Sequence, residues 1–500
     1  MAITPGGSLN SVPAPQKQTL ATNYLDLSST SGWGQQYVPD LMEKEAEVFG
    51  PRTISGFLAQ VGAEEAMTAD QVIWSEQGRL HLSYTGKVAA GGGATVNSVA
   101  ASVITIQKDI DGIAISSDGH GIRVNDMVIV SDANGITKCL VTAVAAATID
   151  VLPYDKGANA LTAQTTDNAT TILVFGSEYG KGAKYMDGGA ATTQSDSRGA
   201  NEPRMKSFSN KPIIMKDYYE VSGSDSSRVG WVEVTSEGGA SGFLWYLKAE
   251  SDTRARFADY LEMAMLESEL NDSSSVLDGS NTIVGSASGD GTVGTEGLFA
   301  AIESRGNLTS GITGVNAATD LAEFDAILAE FDNQGAIEEN MMFVNRATSL
   351  AMDDMLASMN SYGAGGTSYG VFNNSEDMAL NLGFSGFRRG SYDFYKSDFR
   401  YLNDLATRGG INSAATTAAI RGVMIPAGTS SVYDQTVGAS MKRPFLHVRY
   451  RASQTDDRRM KTWTTGSVGA ATSALDAMQI HMLSERCLVT QGANNFMLMK

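Results

Sequence analysis

The chain has 500 residues, 42% of them hydrophobic, which is enough for roughly two to four domains with cores of their own. It carries 56 acidic against 37 basic residues, a net charge of −19, and this excludes a general nucleic-acid binder, which needs a basic surface. Two cysteines, Cys139 and Cys487, are too few for a disulfide framework or a cysteine metal site, so we expect buried thiols.

The first 70 residues are predicted to form an N-terminal arm followed by short helices. Residues 1–36 are rich in Gly, Ser, Pro and Gln, and residues 38–67 carry short helical patterns around a Gly50-Pro51 break. The beginning lacks the basic and apolar regions of a secretory signal, and no apolar run is long enough to span a bilayer. We therefore expect a protein that is made and kept in the cytoplasm.

Two stretches read as the limbs of an extended hairpin, 71–87 and 177–235. The segments "DQVIWSEQGRLHLSYTG" (70–86) and "KSFSNKPIIMKDYYEVSGSD" (206–225) both space apolar residues through polar ones. A lone ribbon is only marginally stable, so these segments are predicted to pair with each other. Residues 88–176 lose the charges and contain short strands with turns between them, which predicts an inserted all-β sandwich or barrel.

The longest helical pattern of the chain is "GFLWYLKAESDTRARFADYLEMAMLESELND" (242–272). Positions 244, 247, 251, 254, 258, 261 and 265 follow three- and four-residue steps, and most are small or apolar. Arg254 and Arg256 lie in its charged centre, which predicts a helix lying across a surface. We assign 236–294 to this helix and its domain.

The remainder predicts an α/β domain at 295–410 and a β-rich return at 411–500. Helical patterns such as "DLAEFDAILAEFDNQG" surround a strand pattern "ENMMFVN", and later segments such as "GVMIP" and "FLHVRYR" read as strands. The predicted fold class is therefore α+β with an inserted all-β module.

The sequence contains no pattern that predicts catalysis, a metal site or a cofactor. The four histidines are isolated from one another, and none has a second histidine at metal-ligand spacing. The segment "GDGTVG" (289–294) matches a dinucleotide-binding template but has no βαβ unit around it. We predict no catalytic residues, no metal and no cofactor.

One basic cluster stands out in this acidic chain, between residues 442 and 461. It could be a solvated strand face neutralised by Asp456 and Asp457, or an intermolecular contact in which arginine forks bind acidic patches on another copy. Phosphate binding is a third interpretation, which the net charge disfavours. The members are Lys442, Arg443, Arg449, Arg451, Arg458, Arg459 and Lys461.

The order of parts resembles the major capsid proteins of tailed bacteriophages, with the Hong Kong 97-type fold. The segments "DQVIWSEQGRLH" (70–81), "FVNRATSLAMDDML" (343–356) and "ALDAMQIHMLSERCLVTQGANNFML" (474–498) are most similar to those of crAss-like phages. The resemblance implies that the hairpin is a loop lying over a neighbouring subunit. It also implies that the long helix is the spine of a peripheral domain, and that the α/β region is an axial domain.

The resemblance further implies a self-assembling, non-enzymatic protein whose pentamers and hexamers enclose double-stranded DNA, assembled in the host bacterial cytoplasm. Portal, head decoration and scaffolding proteins would be its partners. A tail-tube or decoration subunit, an enzyme with a β accessory module, and an adhesin stay open as alternatives. The candidate intersubunit contacts are Arg204, Lys206, Lys211, Lys216, Arg254, Arg256, Arg458 and Arg459.

Overall fold

The structure is a computed structural model. It describes residues 63–77, 81, 83–96, 99–110, 112, 114–115, 120–132, 135–155, 161–179, 181, 205–224, 233–235, 241–271, 293–335, 337–360, 386–414, 419–427, 429–434, 439–467 and 472–500. Residues 1–62 of the predicted arm and short helices (1–70), the candidate contact Arg204 and most of "GDGTVG" lie outside these residues.

The described chain is a mixed α+β structure. Its strands are β1 Ala63–Met67, β2 Val72–Gln77, β3 Ser83–Val96, β4 Val99–Asp109, β5 Asp126–Asp132, β6 Gly135–Ala145, β7 Thr148–Pro153, β8 Thr170–Ser177, β9 Met205–Asn210, β10 Ile213–Ser222, β11 Glu233–Thr235, β12 Ser241–Phe243, β13 Asn307–Thr309, β14 Glu339–Val344, β15 Gly386–Arg389, β16 Tyr392–Asp398, β17 Gly422–Pro426, β18 Thr429–Asp434, β19 Ala439–Pro444, β20 Leu446–Arg451, β21 Lys461–Gly466, β22 Ala477–Thr490 and β23 Met497–Met499. The helices are α1 Leu244–Glu267, α2 Leu298–Arg305, α3 Ala317–Gln334, α4 Arg346–Asn360, α5 Arg400–Asn403 and α6 Arg408–Ala414, and Ala493–Asn495 forms a 3-10 turn.

The chain divides into two compact units, one of Met1–Trp74 with Phe208–Lys500 and one of Ser75–Ser207. In the second unit, six antiparallel strands close into a barrel in the order β3-β4-β7-β6-β5-β8. Alternate residues of each strand face inward and fill it with apolar side chains, including Val88, Ile104 and Ile149. The barrel begins at Ser83, so residues 83–87, predicted to belong to the hairpin, lie in a barrel strand instead.

Gly86 lies at a bulge where β3 crosses close to β4. A Cβ atom at this position would lie 2.4 Å from the carbonyl oxygen of Thr105, which no side chain could tolerate. The strand can bend into the closed barrel here because the position has no side chain.

In the first unit, five strands form a sheet in the order β1-β20-β22-β10, and β21 also pairs with β22. The predicted pairing of 206–225 with 70–86 is correct only for its first part, where β9 pairs with β2. For β10 the prediction is wrong, because β10 pairs antiparallel with β22 and places Tyr218 opposite His481. The side chain of Met215 there packs on an apolar cluster of α1 and β22, which a two-stranded ribbon could not supply.

The sequence predicts a helical pattern that includes residues 63–67, "AEEAM", but in the structure they form β1. This strand runs parallel to β20, with Glu64 opposite Val448 and Glu65 opposite Arg449. Its pairing partner lies about 380 residues along the chain, beyond the reach of local periodicity, which is why the helical interpretation failed.

Helix α1 has 24 residues, about 36 Å in length, and lies against the sheet. Besides Leu266, its buried residues follow a four-residue step along one face: Ala249, Thr253, Phe257, Leu261 and Met265. Phe257 and Leu261 pack on Ile480 and Met482 of β22. The predicted stripe shares Leu261 and Met265 with this face, but its positions Ser251 and Arg254 are exposed.

A second sheet has six strands in the order β13-β23-β17-β14-β16-β15. Its central strands are apolar on both faces: Phe343 and Val423 face one core, while Met342 and Met424 face the other. Burial on both sides explains why "GVMIP" is a continuous apolar run and not an alternating one. Helix α3 covers the second core with Phe324, Ile327 and Phe331 and is capped by Asn316, which accepts from the Thr319 N–H.

Candidate functional site

The central strand of the five-stranded sheet, β22, contains buried charges. Residues 482–490 are all buried, and among them are Glu485 and Arg486, only 2% and 8% exposed. Burial of an unpaired charge costs several kcal/mol, so each of these groups needs a partner. The neighbouring strands supply those partners.

Glu485 binds two arginines. One of its carboxylate oxygens lies 3.0 Å from Nη1 of Arg451 on β20, and the other lies 2.7 Å from Nε of Arg458 in the connection to β21. The Glu485 backbone N–H donates to the Arg458 carbonyl at 3.0 Å. The carboxylate thereby ties three segments of the C-terminal region together.

Strand β1 and the turn after it supply a second set of carboxylates. Glu65 binds Arg449 at 2.9 Å, Glu64 forms an ion pair with Arg459, and Asp70 forms one with Arg451. The hydrogen bond to Asp70, followed by the charges of Glu485 and Asp70, raises the pKa of Arg451 above its ordinary value. These contacts hold an otherwise short parallel strand against β20.

Arg486 lies on the face of β22 opposite to Glu485. Its guanidinium donates to the Arg459 carbonyl and to the Ser484 hydroxyl, both at 2.9 Å, and lies 3.9 Å from Glu64. Burial lowers the pKa of Arg486, and the charge of Glu64 acts in the opposite direction. We use the name Glu485 cluster for Glu64, Arg451, Arg458, Arg459, Glu485 and Arg486.

Five of the seven basic residues between 442 and 461 have acidic partners within the chain: Arg449, Arg451, Arg458, Arg459 and Lys461. The predicted neutralising residues have small roles: Asp456 binds Lys461 at 2.7 Å, and Asp457 accepts from the Arg459 backbone N–H. The principal partners are Glu64, Glu65, Asp70 and Glu485. These pairs join β1 and the turn after it to the C-terminal strands.

A separate aromatic contact fixes the start of the β2–β9 pair. Trp74 of β2 and Phe208 of β9 have ring centroids 6.2 Å apart. The Arg305 guanidinium lies 4.6 Å from the Phe208 ring and 5.6 Å from the Trp74 ring, and it also binds Glu296 at 2.5 Å. This cation–π contact anchors both strands to helix α2.

The predicted contact residues differ in their exposure and in whether they form ion pairs within the chain. Lys206 on β9, Lys216 on β10 and Arg254 on α1 are exposed, and Lys211 is half-buried. Arg254 binds Glu250 one turn earlier at 2.8 Å, whereas Arg256 reaches Asp217 of β10 at 3.4 Å.

Arg254, Arg256, Arg458 and Arg459 thus have partners within the chain. The intersubunit role of the whole set stays a prediction.

Sequence reasoning missed Glu485 and its partners on β1. A signal was present, because "LSERCLV" places Glu485 and Arg486 inside an apolar run that reads as a buried strand. Buried charges must be paired, so this Glu–Arg step predicts an ion-pair network. It does not predict which distant carboxylates and guanidinium groups complete the network.

No metal or membrane feature was found in the part of the chain that the structure describes. No group of three His, Cys, Asp or Glu side chains there could hold a metal ion, and no helix there is long and apolar enough to cross a membrane.

An open groove of about 440 Å³ is lined mainly by residues 66–73, together with Arg449 and Ala452. Ile73 in this groove is 67% exposed.

No protein-family model and no curated protein sequence matches the chain. Among solved structures, a chain of Microbacterium phage Oxtober96 is 8% identical, with 95% of this chain and 99% of that chain covered and a TM-score of 0.37. A chain of Mycobacterium phage Ogopogo is 12% identical, with 63% and 83% covered and a TM-score of 0.31. The capsid structure of the cyanophage P-SCSP1u is 8% identical, with 64% and 79% covered and a TM-score of 0.31. These TM-scores are below the value that defines a common fold, so functional assignment rests on the chain's own geometry.

Proposed function

We propose that the chain is a major capsid protein, which self-assembles into the icosahedral shell of a double-stranded DNA phage and has no catalytic activity. The resemblance to Hong Kong 97-type capsid proteins, and to those of crAss-like phages, gives the finer assignment. Pentamers and hexamers of this chain would form the shell in the host cytoplasm. Portal, decoration and scaffolding proteins would be its partners.

The observation that carries the proposal is the sheet beneath helix α1. Strands from the beginning, middle and end of the described chain, β1, β10 and β22, assemble under one long helix. A separate six-stranded α/β sheet follows in the same unit. A long helix on a small sheet, next to an α/β region, is the arrangement that the resemblance implies for a peripheral and an axial domain.

The exposed flanks of α1 support a role in contacts between copies. Arg254 is exposed on one flank of the buried stripe, and Tyr260 is 41% exposed on the other. Aromatic and arginine side chains are enriched in protein interfaces, where each buries a large area and can still donate hydrogen bonds.

The test is assembly of the full chain, followed by light scattering and velocity sedimentation as concentration increases. We expect growth into particles of fixed large mass. Arg254→Glu should prevent this growth and leave a folded protomer, because the side chain is exposed and loses only a surface ion pair with Glu250. Arg254→Lys, which keeps the charge, is the matched control and should assemble.

Two results would contradict the proposal. Open-ended growth into tubes would favour the tail-tube alternative, and binding of single copies to a preformed shell would favour a decoration subunit. Reversal of Arg256 is not a clean test, since a glutamate there would face Asp217 within the same chain.

A further inference from the structure

Strand β10 forms one edge of the five-stranded sheet. It pairs with β22 on one side, and within the described residues no strand pairs with its other side. The strand has ten residues and is therefore about 33 Å long. An open edge of this length is a template for another strand, because its outward N–H and C=O groups have no ladder partner there.

The direction of one backbone group shows which residues face this open edge. The N–H of Tyr218 donates to the carboxylate of the preceding residue, Asp217, at 2.8 Å, so it is directed away from β22. In an antiparallel pair, alternate residues point their backbone groups to opposite sides. Lys216 and Glu220 therefore also face the open edge.

The sequence of β10 is complementary to itself when it is reversed about Tyr218. When β10 pairs in this register with a second copy of β10, Lys216 of each strand lies opposite Glu220 of the other. Two opposite-charge pairs then flank a central Tyr218–Tyr218 pair. On the other face Met215 meets Val221. Lys216, Tyr218 and Glu220 all direct their backbone N–H and C=O groups to the open edge. These groups can therefore form the hydrogen bonds of an antiparallel pair with the second strand.

Neighbouring registers lack this complementarity. A shift of the second strand by two residues one way places Lys216 against Tyr218 and Ile214 against Glu220. The same shift the other way places Tyr218 against Glu220 and Lys216 against Ser222. Larger shifts oppose Lys216 to Lys216 or Glu220 to Glu220, which repel.

The exposed face of β10 has the character of a contact surface. Ile214 and Tyr218 are 52% and 56% exposed, and the Lys216 ammonium has no ion pair among the described residues. Glu220 is already oriented by the Gln479 side-chain amide at 2.7 Å. In a chain with a net charge of −19, two copies repel overall, so a locally balanced Lys–Glu edge is the kind of surface on which they can meet.

We propose that β10 pairs antiparallel with β10 of a second copy about a two-fold axis at Tyr218, which joins the two five-stranded sheets into one. Each Tyr218 N–H leaves the Asp217 carboxylate and donates to the Tyr218 carbonyl of the other copy, while Arg256 retains Asp217. The contact is isologous and holds whether or not shells form.

Disulfide formation by Tyr218→Cys tests the register. Directly opposed residues of a hydrogen-bonded antiparallel pair have Cα atoms about 5.5 Å apart, within the range that a disulfide spans. We expect the full-length variant to form a covalent dimer under mild oxidation. The native thiols should not interfere, because Cys139 and Cys487 are both buried.

Ile214→Cys is the matched control, on the same strand and the same exposed face. In the proposed register the two thiols introduced by this control would be separated by about 26 Å, roughly eight residues along the strand, and could not bond. Equal dimer formation by both variants, or none by Tyr218→Cys, would overturn the proposal.

Charge exchange provides a second test, by velocity sedimentation at low salt. Lys216→Glu or Glu220→Lys alone should weaken self-association about tenfold, because each creates two like-charge pairs. The double variant should restore it. Unchanged association in the single variants, or failure of the double variant to recover, would show that the copies meet elsewhere.

These tests separate this contact from the proposed function. A disulfide-linked dimer of the Tyr218→Cys variant without shells would leave the edge pairing intact and contradict the capsid assignment. Shells that assemble while Tyr218→Cys forms no disulfide would support the capsid assignment and contradict the edge pairing.

Discussion

The barrel and the five-stranded sheet of this protein reach stable β structure by different means. The barrel uses six antiparallel strands from a single stretch, β3 to β8, and its core cluster is apolar. The five-stranded sheet gathers strands from 63–67, 213–222 and 446–490, and it buries Glu485 and Arg486 at its centre. Where strands follow one another in sequence, as in the barrel, local pairing brings the apolar core together. Where distant segments meet, paired charges help to specify the partner, which we advance as a hypothesis for the Glu485 cluster.

The two cysteines allow each region to be followed separately. Cys139 lies in the barrel core and Cys487 lies on β22, and both are buried. A buried thiol reacts with an alkylating reagent only when its region opens, so the labelling rate of each cysteine in mild denaturant reports the opening of one region.

The largest expected effect follows removal of the buried carboxylate. Glu485→Ala leaves Arg451 and Arg458 without their shared partner and should lower the free energy of opening of the five-stranded sheet by about 3–5 kcal/mol. Labelling of Cys487 should accelerate accordingly. If Cys139 accelerates by the same factor, the two regions open together and the comparison fails.

Alkaline pH is expected to act on both regions alike. Burial raises the pKa of Cys139 and of Cys487 from 9.0 to about 12, so the folded thiols keep protons that the unfolded chain releases. The contribution of these thiols to the free energy of unfolding is fully present below pH 9. It decreases as pH rises towards 12, by about 1.4 kcal/mol per pH unit for each thiol. Urea denaturation followed by circular dichroism on either side of pH 9 measures this. A slope that does not change in Cys139→Ala or Cys487→Ala would contradict it.

A conservative change in the barrel should affect the barrel alone. Ile149 is fully buried in the barrel core, and Ile149→Val removes one methylene group, at a cost of about 0.5–1.5 kcal/mol. Cys139 labelling should accelerate, and Cys487 labelling should not. Val144→Ala, at a position of the same barrel that is 37% exposed, is the control and should change neither rate appreciably.

The smallest effect is expected at the edge of the charged region. Asp456 and Lys461 form an ion pair whose side chains are 39% and 41% exposed, so Asp456→Asn should cost less than about 1 kcal/mol. Cys487 labelling again provides the measurement. A loss as large as that of Glu485→Ala would show that burial is not what makes the Glu485 cluster important.

The same contrast explains what the sequence could predict. The barrel strands were recognisable because alternation and turn residues are local signals, and the central strands of the six-stranded sheet were recognisable as apolar runs. The pairing partner of β10 was not recognisable from the sequence, since Met215 and Val221 indicate only that one face of the strand is buried. Strand β1 was misread as helical because "AEEAM" acquires its extended form from Arg449 and β20.

The charged region was predicted from its basic residues and from one of their partners, Asp456, which binds Lys461. The other acidic partners come from 64–70 and 485, and no periodicity connects these positions to the basic residues. Arg256 shows the same limit. Its spacing indicates an exposed helix centre, whereas in the fold it binds Asp217 of an adjacent strand.

The measurement that tests the central claim most directly is electron cryo-microscopy of the assembled full chain. The account predicts closed shells in which copies of this chain occupy both five-fold and six-fold positions. Open tubes, or copies attached only to the outside of a lattice built from another protein, would contradict the assignment as a major capsid protein.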